Sequence, residues 1–377
     1  MTRLLALFLF SLAASGKPAA GRESDLPGMP ALVDPHDVYA AARPGQMSSA
    51  VSGAVARVYV PNSKSDTVDV IDPATFKVIG HFDVGHEPQH VTPSYDLKTL
   101  WVLADLGDSL TRIDPVTGEK KETIPVTDPY NMYYTPDGKF AVVVAERKRR
   151  LDFREPHSMK LVSSLPVPCQ GVDHMDFAAN GRYLIASCEF SGQMLKVDVA
   201  HQKVVGTLKL SLPGQSHGHG HDRDHPMPQD VRIAPDGSVF FAADMVSNGV
   251  HVIDGEAFRV IGFIPTGRGA HGLYFSRDST VLYASNRGEG SISLIDWKTR
   301  QVTTKWKLPG GGSPDMGGVS ADGKVLWLSG RYHSEVYAID TSTGKLLARI
   351  PVGKEPHGLC VWPQPGRYSL GHTGILR

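Results

Sequence analysis

No surplus of charge of either sign runs through this chain: lysine plus arginine number 39 and aspartate plus glutamate 39 in 377 residues. Such a balance supplies no field that would gather nucleic acid or an anionic membrane surface, so partners must be chosen by local chemistry. Beyond the N-terminus no apolar run is long enough to span a bilayer. The familiar catalytic signatures are missing too. There is no G-x-S-x-G elbow, no P-loop, no H-E-x-x-H and no C-x-x-C-H haem attachment. The glycine-rich "LPGGGSPDMGG" lacks the lysine and the following helix that a phosphate cradle needs. Cysteine is scarce, with only Cys169, Cys188 and Cys360. An oxidising compartment would allow one disulfide, and Cys169 with Cys188 is the candidate because both fall in one repeat; buried free thiols are the alternative.

What is abundant is turn chemistry. The 39 glycines and 27 prolines are dispersed between apolar runs, which reads as many tight turns rather than as disorder. Met1-Thr2-Arg3 followed by "LLALFLFSLAASG" has the cationic start, short apolar run and small residues of a secretory signal, predicted over residues 1–21. Export to the periplasm or the exterior follows. Residues 22–56 carry no sustained period and are expected to form an extended leader lying on the domain.

Self-similarity sets the fold. A strand-ending aspartate recurs at Asp72, Asp114, Asp198, Asp254, Asp296 and Asp340, with Arg154 in the equivalent place of "RLDFREP". The intervals are 42, 40, 44, 56, 42 and 44 residues. The long one contains "GQSHGHGHDRDHPMP", so the underlying period is about 42, the length of a four-stranded propeller blade. First strands begin at His90, Asn131, His174, Asp230, Gly272, Met316 and Gly358, which makes seven blades. The chain supplies only a first strand for the last blade, in "HGLCVWP", whereas residues from about Arg57 to Gly85 supply three strands before any first strand. Joining them closes an all-β, seven-bladed propeller over residues 57–366, with a C-terminal tail at 367–377, and closure removes edges that would template aggregation.

The segments "RVYVPNSKSDTVDVID", "TVLYASNRGEGSISLID" and "KVLWLSGRYHSEVYAID" resemble the repeats of the YVTN-type, YncE-like β-propeller family of exported proteins. The resemblance covers nearly everything from Arg57 to Gly366. It implies the fold, and it implies little about activity.

In a propeller the first strand of each blade lines the channel, and the loop leading into it shares a face with the loop between the second and third strands. The leading tetrapeptides are "EPQH", "DPYN", "GVDH", "MPQD", "GAHG", "SPDM" and "EPHG". One ring then holds Asp173, His271, Asp315 and His357 beside Gln89, Tyr130 and Gln229, and the next holds His90, Asn131, His174 and Asp230. Loops between second and third strands add Asn62, Asp105, Glu146, Glu189, Asp244, Asn286 and Arg331 at the same mouth, with Arg287 close by. Turns call for glycine, asparagine and aspartate, but they have no reason to concentrate imidazoles. Imidazole beside carboxylate suits zinc, copper or iron, whereas carboxylates alone favour calcium or magnesium. The subset His271, His357 and Asp173 or Asp315 is expected to share one site, with His90 and His174 as a second layer. A separate tract, His217, His219, His221 and His225, has the composition of an adaptive, low-affinity metal binder.

Three functions stay open. The chain binds a metal ion or small polar ligand in its funnel, as a monomer; or it is a metal-dependent lyase or oxidoreductase using funnel histidines and carboxylates; or it is a protein-interaction scaffold. Streptogramin lyases look similar in using a metal and histidines at one propeller face, which keeps the second possibility in view.

Overall fold

The computed structural model describes residues 25–212 and 225–377. The expected export signal at 1–21 and the histidines His217, His219 and His221 lie outside the described residues.

The described residues form seven four-stranded antiparallel sheets. Blades 1 to 6 open with the inner strands Pro88–Pro93, Asn131–Tyr134, Val172–Phe177, Pro228–Ile233, Ala270–Phe275 and Pro314–Val319. In the seventh, Cys360–Trp362 pairs with Arg57–Asn62, setting Tyr59 opposite Cys360 and Arg57 opposite Trp362. The ring is therefore closed by joining its two chain ends, as the repeat count predicts. Closure satisfies backbone groups that an open sheet would leave bare.

Burial falls from axis to rim, and the residue types follow it. Every residue of Val172–Phe177 is buried, including three ionisable ones, while the outermost strand of the same blade, Lys203–Lys209, alternates exposed and half-buried positions. The inner strands are held to one another by polar groups that reach across blades. The Tyr133 hydroxyl accepts the Met175 N–H at 3.1 Å, the Tyr274 hydroxyl accepts that of Gly317 at 2.6 Å, and the Asp230 carboxylate accepts that of Leu273 at 2.9 Å. Gly317 must be glycine, because a Cβ there would run into the backbone carbonyl of Trp327. Cys169 and Cys188 are disulfide-bonded with Cα atoms 6.0 Å apart, tying the start of blade 3 to the end of its second strand.

Each inner strand begins at the funnel face and runs to a turn at the opposite face. Residues 25–56 bond to those turns: Leu26 N–H donates to Asn180, Val38 N–H to Pro235 and the Tyr39 hydroxyl to Ile233. Residues 367–377 do something the repeats do not announce. They turn back as a hairpin, Leu370 N–H donating to Ile375 at 2.7 Å, and insert along the inner strand of blade 2. Tyr134 N–H donates to Leu370 and His372 N–H to Met132, while Arg377 donates to Asp176 at 2.9 Å. His372 stands in the turn of this hairpin, with φ +52°, and is fully buried.

Candidate metal centre in the axial channel

Five imidazoles meet on the axis among the described residues: His90, His174, His271, His357 and His372. Ring centroids are 4.9 Å apart for His174 and His372, 5.2 Å for His90 and His372, 4.9 Å for His90 and His357, and 5.8 Å for His271 and His357. They divide into two groups by what their nitrogens touch.

The upper group is organised by Asp315. Its Oδ2 accepts Nδ1–H of His357 at 2.8 Å, and its Oδ1 lies 2.9 Å from Nδ1 of His271 and 3.1 Å from Nη1 of Arg287. Burial opposes ionisation of Asp315, but His271, Arg287 and His357 outweigh it and hold the carboxyl well below its usual range. Burial also keeps both rings neutral, taking His271 down to about 4 and His357 well below the ordinary histidine value, so Arg287 is the standing positive charge of the group. Thus the predicted subset of His271, His357 and Asp315 does come together, as a carboxylate held between two rings. Asp173 sits elsewhere, its Oδ1 3.0 Å from Nε2 of His174.

The deeper group is His90, His174 and His372, whose candidate ligand atoms all lie within 4.8 Å of one another. Nδ1–H of His90 donates to the carbonyl of Tyr130 at 2.9 Å. Asn131 lies between the other two, its Nδ2 3.0 Å from Nδ1 of His174 and 3.0 Å from Nδ1 of His372. Tyr133 stacks parallel on His372 at 5.8 Å. Nε2 of His90 and of His372 is buried without a hydrogen-bond partner among the described residues, while Nε2 of His174 has Oδ1 of Asp173 beside it at 3.0 Å. Burial pushes His90 and His372 well below the ordinary histidine range and His174 to about 4, so all three are neutral at physiological pH, the form that ligates metals. Space for the group is made by Gly358 of blade 7, where a Cβ would overlap the His90 ring.

Asp230 closes the floor of this group, 3.9 Å from Nε2 of His372, but its oxygens are taken by Arg232 at 3.0 Å and by backbone N–H groups of Val231 and Leu273. It braces rather than ligates. The residues immediately after the second strands include Asp105, Glu146 and Glu189 in blades 1 to 3 and Arg287 and Arg331 in blades 5 and 6. Burial raises Glu146 to about 9 and Glu189 and Asp105 each to about 7, with the neighbouring carboxylates adding to the shift, and burial raises Asp173 well above its usual range. Asn62, Asp244 and Asn286, one register earlier, serve their own hairpins: Asn62 donates to Thr67 and Asp69, and Asp244 accepts three backbone N–H groups. Asn286 likewise accepts the Gly267 N–H and donates to Ser291. His225 is half-buried with Nδ1 2.7 Å from the Pro226 carbonyl, apart from the axial rings.

Sequence reasoning missed His372, because it looked for ligands only in the repeats. The signal was "LGHTGI": a histidine between two glycines, flanked by apolar residues, is a turn at the tip of a hairpin.

A closed ring of seven four-stranded blades around a polar channel defines a β-propeller, and the comparisons refine the class. Residues 29–365 match the family described as YNCE-like beta-propeller, and the chain belongs to that family. No curated protein matches the sequence. Solved structures are similar in fold. A functionally unknown protein from Desulfotomaculum acetoxidans is 15% identical with a TM-score of 0.64, covering 81% of this chain and 98% of its own. Dihydro-heme d1 dehydrogenase NirN in complex with DHE is 16% identical with a TM-score of 0.59, covering 84% of this chain and 77% of its own. Kuenenia stuttgartiensis hydrazine synthase is 18% identical with a TM-score of 0.58, covering 71% and 87%. At these identities the likeness is one of fold.

Proposed function

We propose that this chain is an exported propeller that binds a transition-metal ion on His90, His174 and His372, beneath a polar funnel. One observation carries the reading: three neutral imidazoles, contributed by blade 1, blade 3 and the C-terminal hairpin, bring candidate ligand atoms within 4.8 Å of one another, and Nε2 of His90 and of His372 is buried and unpartnered among the described residues. An unsatisfied buried nitrogen costs about 1–3 kcal/mol, so two at one point beside a third imidazole are poorly explained as packing. A cation satisfies all three together. An all-imidazole set suits zinc, copper or iron and not calcium or magnesium. The Nδ1–H bond of His90 to a carbonyl is the outer contact that orients a ligating histidine. Oδ1 of Asn131 accepts the Met132 N–H at 2.8 Å, so ligation through Nε2 of His174 and His372, which places their protons on Nδ1, requires the carboxamide to turn over and give up that bond.

The export part rests on the N-terminal signal pattern and on the Cys169–Cys188 disulfide, a bond that persists in oxidising compartments. Intact mass of the mature protein tests it, since retention of Met1 to Ala20 in the native host contradicts export. For the metal, untagged protein stripped with chelator and titrated with zinc or copper should take up one tight equivalent. His90→Ala should abolish that equivalent, and a tight equivalent retained in this variant contradicts the site. Weaker uptake lost with residues 215–225 would mark the histidine tract instead.

A further inference from the structure

The funnel mouth carries carboxyl groups on one wall and guanidinium groups on the other. Glu146 and Glu189 stand on blades 2 and 3; Arg287 and Arg331 stand on blades 5 and 6. No ion pair links the two walls among the described residues. Arg287 is only 8% exposed, yet a single nitrogen of its guanidinium meets an oxygen, that of Asp315, and its Nη2 faces the sulfur of Met245. Arg331 is worse satisfied. Its Nη1 is buried with no hydrogen-bond partner among the described residues, and its nearest carboxylate, Glu355, is 3.8 Å from Nη2. After burial, its charge is among the influences that lower His90 and His357 on the axis.

A guanidinium with a buried, unpaired nitrogen is costly, and half-buried Arg331 has one beside the buried Arg287 of the adjacent blade. The planar fork of arginine matches the two oxygens of a carboxylate. Above the pair, Tyr332 is 62% exposed with its ring 5.2 Å from the Arg287 guanidinium, and Phe190 is 51% exposed on the far rim. Those aromatic faces suit an apolar body. Arg287 is already paired with Asp315, so the pair of guanidiniums leaves one positive charge unmatched, which suits a monoanion better than a phosphate dianion.

We infer that the mouth of the funnel binds a small monoanionic organic carboxylate, its oxygens shared by Arg287 and Arg331 and its apolar part held against Tyr332 and Phe190. This goes beyond the proposed metal centre and does not require the metal. A ligand so placed lies over the imidazole group, next to the rings of blades 5 and 7.

Benzoate is the probe, with benzamide as its uncharged isostere and inorganic phosphate as the competing anion, each titrated calorimetrically into metal-free and into zinc-loaded protein at low salt. Benzoate should bind at least tenfold more tightly than either. Arg331→Gln, which touches no buried carboxylate and should fold as the parent does, should weaken benzoate at least tenfold while keeping the tight zinc equivalent and the parental melting temperature. Arg287→Gln should weaken it as much, and where that variant folds poorly Arg331→Gln alone decides. The inference is overturned if benzoate binds no better than benzamide, if phosphate binds more tightly, or if Arg331→Gln leaves benzoate unaffected. Zinc uptake separates the two claims: benzoate binding without tight zinc would sink the metal reading and keep the subsite, and tight zinc without benzoate binding would do the reverse.

Discussion

His90 donates its Nδ1–H to the backbone carbonyl of Tyr130 one blade away, at 2.9 Å, and that bond decides which ring nitrogen is left with a lone pair. A carbonyl can only accept, so the proton is committed to Nδ1. Nε2 therefore faces His174 and His372 as a base without a partner among the described residues.

The position of that ring depends on Gly358, whose missing side chain is the space His90 occupies. Gly358→Ala should push the ring aside, costing about 1–3 kcal/mol of stability as overpacked sites do. It should also weaken zinc at least tenfold. Chemical denaturation and metal titration on one preparation check both. Parental zinc affinity in this variant would show that His90 does not ligate.

His372 adopts φ +52°, a backbone conformation glycine adopts freely and histidine does not. His372→Gly should therefore leave the metal-free melting temperature within ~3 °C of the parent, since relief of strain offsets the lost contacts with Asn131 and Tyr133. Tight metal uptake should vanish. A strongly destabilised metal-free variant would instead make the imidazole a brace for the channel.

Glu146 predicts a pH dependence of stability. Burial, then Asp173 and Glu189, raise its folded value to about 9, against about 4.3 for an unfolded glutamate. Between these values the folded chain holds a proton that the unfolded chain has released. Its contribution is thus complete below about pH 4 and is lost as pH rises through about 9. Glu146→Gln stays neutral throughout, so it should gain on the parent at alkaline pH: an advantage of ~2–5 °C in melting temperature at pH 8.5, shrinking toward zero at pH 5. An equal difference at both pH values would contradict the assignment.

The Cys169–Cys188 bond closes a loop of 19 residues. Loop-closure entropy assigns such a crosslink about 3 kcal/mol. The double change Cys169→Ala, Cys188→Ala should lower stability by about that amount in denaturant unfolding, leaving Cys360, buried in blade 7, as the remaining thiol. No loss on removal of the pair would mean that the bond constrains nothing the fold does not already fix.

The architecture was readable because each blade repeats the same strand-ending aspartate, as at Asp72, Asp254 and Asp340, and because "HGLCVWP" stood as a lone first strand needing partners. The inner rings followed from the tetrapeptides that precede each first strand, which is why His271 and His357 could be grouped in advance with Asp173 or Asp315, though not which of the two carboxylates joins them. The funnel rim was harder. Asn62, Asp244 and Asn286 look like mouth residues, but a strand alternates its faces, and one step of register turns them into hairpin braces while Arg287 reaches Asp315 on the axis. His372 lay outside every repeat, and a periodic pattern carries no information about a segment that does not repeat.

The most direct test of the axial metal centre is an anomalous difference map from a crystal of untagged protein loaded with one equivalent of zinc. We predict a single strong peak on the axis, about 2.0–2.1 Å from Nε2 of His90 and within bonding distance of His174 and His372. A map with no peak there, or with its only peak at the His217–His225 tract or between Asp315 and its histidines, would contradict the account.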